Sequence, residues 1–528
     1  MPTTALLSPM PASASVRSRQ CVRWAVIAGL ACALGNAHAE RPHTATTDDL
    51  RWLNRITYGV NSATVSAYEA AGRQRYLDVQ LRGKDDALPS AVQRDIDALG
   101  ISQASLPQLL QAAEAEHRRI ESLPDGDDKA RAKQAQQQAQ ERAAYEASKR
   151  HLLRAIYSPA QLKEQMVWFW LNHFNVFRHK ANLRWMVGDF EEQAIRPHAL
   201  GNFRDLLRAT LMHPAMLVYL DNAQSAVGKV NENYARELLE LHTMGVQGGY
   251  TQQDVQELAR VLTGVGVSHR PDAPRLKPEW QGLLIRQGAF EFNPARHDFG
   301  DKVLLGHPIA GRGFDEVEQA IDLIVRQPAT AHFISHKLAV AFVADEPPAA
   351  LVNRMAQTFL QRDGDIPSVL RVMFNSPAFK QSLGSKFKDP MHYVVSALRL
   401  AYDMPTAEGR YIVNLKPVNG MLNGLGEGLY GKLTPDGYGL READWASAGQ
   451  MSKRFEIAKW IGSGHAGLFD PDDGRPAQVS GFPQLGNRLY YDLIEASLSP
   501  ATREALSKAS TQWEWNTYLL SSPDFMYH

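Results

Sequence analysis

Apolar residues recur at helical spacing along nearly the whole chain, from Leu50 to Leu520, whereas period-two alternation is confined to one short stretch. A helix of 3.6 residues per turn buries a stripe at i, i+3, i+4 and i+7, and a strand buries every second residue. The pattern therefore restricts the fold to packed helices. Thr46 with Asp49 three residues later forms a capping arrangement, and Leu50, Leu53 and Ile56 follow on one face. A second helical stretch ends near Leu81. Ser158-Pro159-Ala160-Gln161 reads as a capped helix start, after which Leu162, Met166, Phe169, Trp170, His173 and Phe177 share a face. Trp168 and Leu171 occupy the other side, so this helix is expected to be buried nearly all round. Further helical runs are expected at 203–211, 215–220, 315–326, 328–343, 349–360, 366–374, 390–402, 445–461 and 503–520.

Strand character appears only at 283–309. Ala289-Phe290-Glu291-Phe292 and Val303-Leu304-Leu305 flank a turn at His297-Asp298-Phe299-Gly300. The expected fold is mainly α: a multi-helical body with one small β-ribbon and a long Gly/Pro-rich loop. No fixed-period repeat is present, which argues against a solenoid.

The chain divides by composition. Residues 1–39 carry Arg17, Arg19 and Arg23, a short apolar run from Trp24 to Leu34, and the small-x-small site Ala37-His38-Ala39. That is the pattern of a secretory signal peptide cleaved after Ala39, and the run is too short to span a bilayer. The mature protein is therefore expected to be periplasmic or secreted, without a transmembrane segment. Residues 40–110 read as an N-terminal helical segment. Residues 111–150 shift to Ala, Gln, Glu, Lys and Arg, with a turn at 123–127. A heptad seam is not sustained there, so 128–150 is expected to be a solvated, projecting helix rather than a coiled coil. Residues 151–403 form the helical core, 404–444 the Gly/Pro-rich loop, and 445–528 C-terminal helices packing on the core. An ordered loop of that length is unusual and often functional.

Net charge is formally zero, and no basic stripe points to nucleic acid. Both cysteines, Cys21 and Cys32, fall in the expected signal segment. A mature chain without them has no disulfide, thiolate metal site or cysteine nucleophile.

Charge is densest among apolar residues at 231–264, which reads as two capped helices joined by a glycine turn. Glu232, Arg236 and Glu240 lie at i, i+4 and i+8, a stripe of alternating sign worth ~0.3–0.5 kcal/mol per pair. Glu237 is not explained by that stripe. It neighbours Glu240 at i+3 and has Asn233 one turn before it. A carboxylate pair among apolar groups can hold a proton for general acid work or bind a hard cation. His242 is five residues from Glu237, about 140° around a straight helix, so the two cannot share a metal there. In the second helix Thr251 and Asp254 cap the start, Val255, Leu258, Ala259 and Leu262 face the core, and Glu257 and Arg260 flank it. The two helices are expected to pack antiparallel, with Glu257 or Arg260 facing Glu237 or Glu240.

His297 and Asp298 stand together on a turn, with Lys302 following; they suit acid–base work or substrate binding, or else an Asx turn capping the ribbon. His173 sits on an apolar helix face, where a satisfied core histidine is the simpler reading, with Asn172 a local partner. The candidate site is thus Glu237, Glu240, His297 and Asp298 as catalytic groups, with Asn233, Arg236, Glu257, Lys302 and His173 contacting substrate. No metal set is expected. His332 and His336 have chelating spacing but no third ligand. The GEGLYGK segment at 426–432 lacks the Ser or Thr of a phosphate loop and follows no strand. The sequence leaves any cofactor unknown.

Several stretches run in one order along the chain: LNRITYG, MVWFWLNHF, NENYARELLELHTMG, YTQQDVQELARVLTG, HDFGDKVLLG, ATAHFISHKLAVAFV and LLSSPDF. On these the chain resembles the family known as domain of unknown function 1800. It departs from the commoner family form at LTPDGYGLREADW, where many members carry a proline-rich stretch ending in Gly-Trp. The resemblance implies secretion from bacteria. It also implies frequent gene pairing with the domain of unknown function 1501 family, whose members resemble sulfatases and phosphatases. It implies no particular reaction. The expected function is a hydrolase or lyase acting on an extracytoplasmic glycan or other envelope polymer, with Glu237 or Glu240 as the acid. The alternatives are a non-catalytic envelope scaffold that docks a domain of unknown function 1501 protein, and a metal-binding redox protein using carboxylate and histidine ligands.

Overall fold

The structure, a computed structural model, describes residues 44–84, 86–268, 272–403, 410–472, 474–476 and 482–528. The expected signal segment, its cleavage site and both cysteines lie outside the described residues, as does the start of the Gly/Pro-rich stretch.

Helix α1 (Thr47–Ile56) begins with the expected box: the Thr46 side chain accepts from the Asp49 N–H, and the Asp49 carboxylate answers the Thr46 N–H. Leu53 and Ile56 are buried in the core that runs through 44–528. Helices α2 (Leu106–Glu121) and α3 (Asp127–Tyr157) pack together. The solvated, projecting helix expected at 128–150 is therefore half right. Its first half is largely exposed, but from Ala143 onward α3 runs into the core. Small alanines at 143, 144 and 147 permit that approach, and the basic residues beyond them find anions: Lys149 reaches Asp472, and Arg154 reaches Glu192 at 2.6 Å.

Helix α4 (Gln161–His173) is buried on every side, as its sequence predicts. Its start differs from the expected box. Ser158 instead closes α3, and Gln161 turns its amide back onto the carbonyls of Ala155 and Ser158. One charged group on α4 is paired inside the body, whereas the buried Gln165 amide has no hydrogen-bond partner among the described residues. Glu164 receives both arms of Arg196 at 3.0 and 2.9 Å, and Arg196 also meets Glu191.

Helices α5 (Asn233–Glu240) and α6 (Gln252–Val261) form the unit expected at 231–264, and Gln252 ties their first turns by bonding both Glu232 and Arg236. Beyond α6 come β1 (Val265–Val267), β2 (Ile285–Gln287) and β3 (Phe290–Phe292), which make an antiparallel sheet in the order β1-β3-β2. A separate hairpin pairs β4 (Lys302–Leu304) with β5 (His307–Ile309). The protein is mainly α with a small sheet, and the strand region divides into two pieces rather than one ribbon. Gly264 leads from α6 into β1 with φ +79°, and a Cβ there would lie 2.7 Å from the Asn293 carbonyl. Gly264→Ala is expected to destabilise the protein by ~1–3 kcal/mol, seen as a lower urea midpoint at unchanged m-value.

Helices α7 (Phe314–Val325), α8 (Pro328–Phe342) and α9 (Pro390–Ala401) continue the body. The stretch expected to be a loop at 404–444 holds a helix, α10 (Lys416–Gly424), whose Val418, Met421 and Leu422 are buried. Glycine content hid these apolar residues. The irregular part is 425–441, pinned across the end of α4. Helices α11 (Ala448–Gly462) and α12 (Gln512–Ser521) pack against each other near the C-terminal end. Among the described residues no helix is long and apolar enough to cross a membrane.

Candidate functional site

The nine residues proposed from sequence separate into two groups. His297 is buried: its Nδ1 lies 2.8 Å from the Thr263 carbonyl oxygen and its Nε2 2.9 Å from Glu316. The Lys302 ammonium reaches the other Glu316 oxygen at 2.5 Å, and both side chains are wholly enclosed. Glu316 also accepts the N–H groups of Arg312 and Gly313. Burial works against its ionisation, yet these partners outweigh burial and hold it below the usual carboxylate range. Asp298 accepts from Arg260 and from the Gly300 N–H, the Asx turn that was the alternative reading. Its carboxyl lies below its ordinary value through Arg260 first. Glu257 pairs with the same Arg260 at 2.7 Å. His297, Asp298, Lys302 and Glu257 therefore brace the β4–β5 hairpin onto α6 and α7. They are not brought to Glu237, and Glu257 and Arg260 do not face α5 as expected.

On α5, Asn233 donates to the Leu220 carbonyl, and Arg236 is shared by Glu232 and Gln252. Glu237 is different. It is half-buried, and its side chain has neither hydrogen bond nor ion pair among the described residues. Burial raises its pKa, Glu240 and Asp436 add to the rise, and Arg236 opposes it.

Helix α5 stops at Glu240, and the His242 N–H bonds back to the Glu237 carbonyl at 3.1 Å. The chain thus leaves helical geometry before His242, which turns inward. Its carbonyl lies 2.9 Å from His173 Nε2, and Lys337 Nζ, from α8, lies 3.0 Å from His173 Nδ1. The contacts fix the proton positions. A carbonyl only accepts, so Nε2 carries the hydrogen and Nδ1 is the lone pair that receives Lys337. His173 is accordingly neutral, its pKa pushed well down by burial and then by Lys337. It is sealed from solvent and touches Lys337 rather than a substrate; Asn172, its expected partner, is bound elsewhere. The His242 imidazole, buried with no hydrogen-bond partner on either nitrogen, has its pKa lowered to about 3 by burial and then by Lys337.

Lys337 has no carboxylate partner among the described residues. Burial lowers its pKa to about 8, against a pull upward from Asp436. Asp436 stands on the strap 432–438, and its charge reaches both Glu237 and Lys337. The strap is held by side chains at the end of α4 and just beyond it. Asn172 exchanges two bonds with the Tyr438 backbone, and Asn175 donates to the carbonyls of Lys432 and Thr434. The Tyr219 hydroxyl donates to the Leu433 carbonyl. Tyr438 stacks beside Trp168 at 6.4 Å. Gly437 fits because a Cβ would lie 2.2 Å from the Asn172 carbonyl oxygen. LTPDGYG is thus the segment that carries Asp436 toward α5 and α8.

Sequence reasoning missed Lys337 and Asp436. Lys337 lies in a helix with few other charges, and only its tertiary neighbours separate it from a surface lysine. His332 and His336 stack on each other at 6.5 Å, and no metal-binding cluster of His, Cys, Asp and Glu is present among the described residues. A cleft of about 740 Å³ lies elsewhere, where His213 pairs with Asp189, Arg154 with Glu192, and Arg208 with Glu318.

The fold and this surface define a mainly α protein in which a strap carries a carboxylate whose charge reaches both Glu237 and Lys337, neither of which has an ion-pair partner among the described residues. The chain belongs to the family described as protein of unknown function (DUF1800), whose model matches residues 51–527. Neither the curated proteins nor the solved structures contain a match to the chain.

Proposed function

We propose that the protein is an acid–base enzyme, a hydrolase or lyase acting on a glycan or envelope polymer outside the cytoplasm. Glu237 is the base and the Lys337 ammonium the acid. The observation that carries this reading is the Lys337–His173 contact: an amine gripped by a neutral imidazole, without a counter-ion, under the same strap as an unpaired glutamate. Catalytic groups work best with pKa values near the working pH. Here burial moves the carboxyl up and the amine down to about 8, and the reaction needs Glu237 ionised and Lys337 protonated. Glu237 takes a proton from water or from carbon, and Lys337 gives one to the departing oxygen. His173 positions the amine. This reverses the role expected for Glu237 and replaces His297 and Asp298 as its partners.

The exposed halves of α2 and α3 support a second reading, a scaffold that docks a domain of unknown function 1501 protein on this polar arm. One experiment separates the two. Purified mature protein is screened against bacterial polysaccharides, with and without the partner. Glu237→Gln is expected to lower turnover by ~10²–10⁴-fold, the range for losing a general base. Activity that survives this substitution removes the catalytic assignment. Partner binding without turnover favours the scaffold.

A further inference from the structure

On the side of the molecule formed by α1, α9 and α12, a cavity of about 280 Å³ opens, separate from the strap. Its walls combine apolar side chains, Leu50, Val60, Leu400, Leu498, Leu519 and Phe525 among them, with the polar Arg51, Asn54, Ser497 and Asp524. Into this cavity projects Lys388, which is 5% exposed. Its Nζ donates to the Ser396 hydroxyl at 3.2 Å and lies 3.8 Å from the centre of the Phe525 ring. No carboxylate pairs with it among the described residues. A buried ammonium without an anion is costly, and chains retain one chiefly where something else supplies the charge.

The surroundings do not supply it. Arg454, on α11, is buried nearby and donates to the Lys388 carbonyl oxygen, adding positive charge. His528 bonds the Asn54 carbonyl, and its pKa is pushed well down by burial, then by Arg55, His392 and Lys388. Asp389 pairs with His392, Lys386 with Asp345, and Arg55 is spent on backbone carbonyls and Ser382. Glu427, in contact with the Met391 N–H, has its pKa raised well above the usual range by burial and then by Asp389. At the rim Asp524 accepts from Ser499, and Arg51 meets Asp48.

We propose that this cavity binds a small carboxylate with an apolar body, the carboxylate on Lys388 Nζ and the body along Leu400, Leu498 and Phe525, while Ser396, whose hydroxyl donates to the Tyr393 carbonyl, steadies the ammonium. Apolar side chains beside a buried, unpaired cation are the design of such a pocket. In the empty pocket burial and then Arg454 lower the Lys388 pKa to about 7. A bound carboxylate restores the ammonium, so binding above that pH takes up a proton. Arg454 stays charged throughout, so Lys388 is the group whose protonation changes.

The test is calorimetry with octanoate on the full protein, at pH 6.5 and 8.5, in buffers of different ionisation enthalpy. Octanoate should bind at both values, more weakly at 8.5, with uptake approaching one proton per site at 8.5. 1-Octanol, of the same length without the charge, should bind about 10-fold or more weakly. Lys388→Met removes a buried unpaired charge for a side chain of similar length, so the variant is expected to fold. It should lose the octanoate preference and the proton uptake. Equal binding of octanol and octanoate to the native protein, or uptake unchanged in Lys388→Met, overturns the proposal, as does no binding at either pH.

Discussion

Lys337→Met is expected to lower turnover on the polymer that the screen identifies by ~10²–10⁴-fold, with the fold retained. The native rate should rise as pH increases through the elevated pKa of Glu237 and fall as it passes about 8, where Lys337 gives up its proton. Lys337→Arg keeps the charge but does not titrate in that range. Its alkaline limb should therefore move beyond the accessible window even if its rate is reduced. An alkaline limb that stays near 8 in the arginine variant assigns the ionisation to another group and ends the role given to Lys337. The stability of the fold carries a second signature of the same amine. The folded pKa lies below the ordinary lysine value, so the folded state prefers the neutral form. The penalty for burying the ammonium is present in full below about pH 8 and is relieved as pH climbs toward the unfolded value. Native stability should gain from Lys337 over that interval, and Lys337→Met should not show the gain.

The second large effect is structural. Glu316→Ala should cost ~3–5 kcal/mol, because it leaves Lys302 as an unpaired enclosed cation and strips His297 and two backbone N–H groups of their acceptor. Chemical denaturation of the variant beside Glu257→Gln, on the same hairpin brace but partly exposed, is the direct comparison. The loss should also depend on pH. The folded Glu316 pKa is depressed, so its contribution is present above the unfolded value and fades as pH falls through the folded one. The two proteins should converge in acid. A Glu316→Ala variant as stable as the native chain would mean that the triad does not hold the hairpin.

Those two experiments fall on residues that the sequence treated very differently. His297, Asp298 and Lys302 attracted attention because they stand outside any periodic pattern on a turn. The same irregularity serves a hairpin that must be tied down by side chains because its strands are only three residues long. Glu237 was legible for a sounder reason: the stripe of Glu232, Arg236 and Glu240 accounts for its neighbours and leaves it over. His173 was legible as a core histidine, and it is one, but its ring delivers a lysine. His242 was set aside on straight-helix geometry, and the helix ends two residues before it.

Periodicity and capping patterns by themselves determined the helical class, the capping boxes at Thr46 and Thr251, the all-round burial of α4 and strand character within 283–309, whereas β1 (Val265–Val267) lies outside that range. Each depends on residues within a turn or two of one another, and local sterics and hydrogen bonding act at that range. Only the tertiary structure decided which charges are satisfied. Glu316 lies 19 residues from His297, Lys337 164 from His173, and Asn172 266 from Tyr438. Whether a carboxylate is spent on a brace or left free depends on what packing brings within 3 Å of it, and no local pattern encodes that distance.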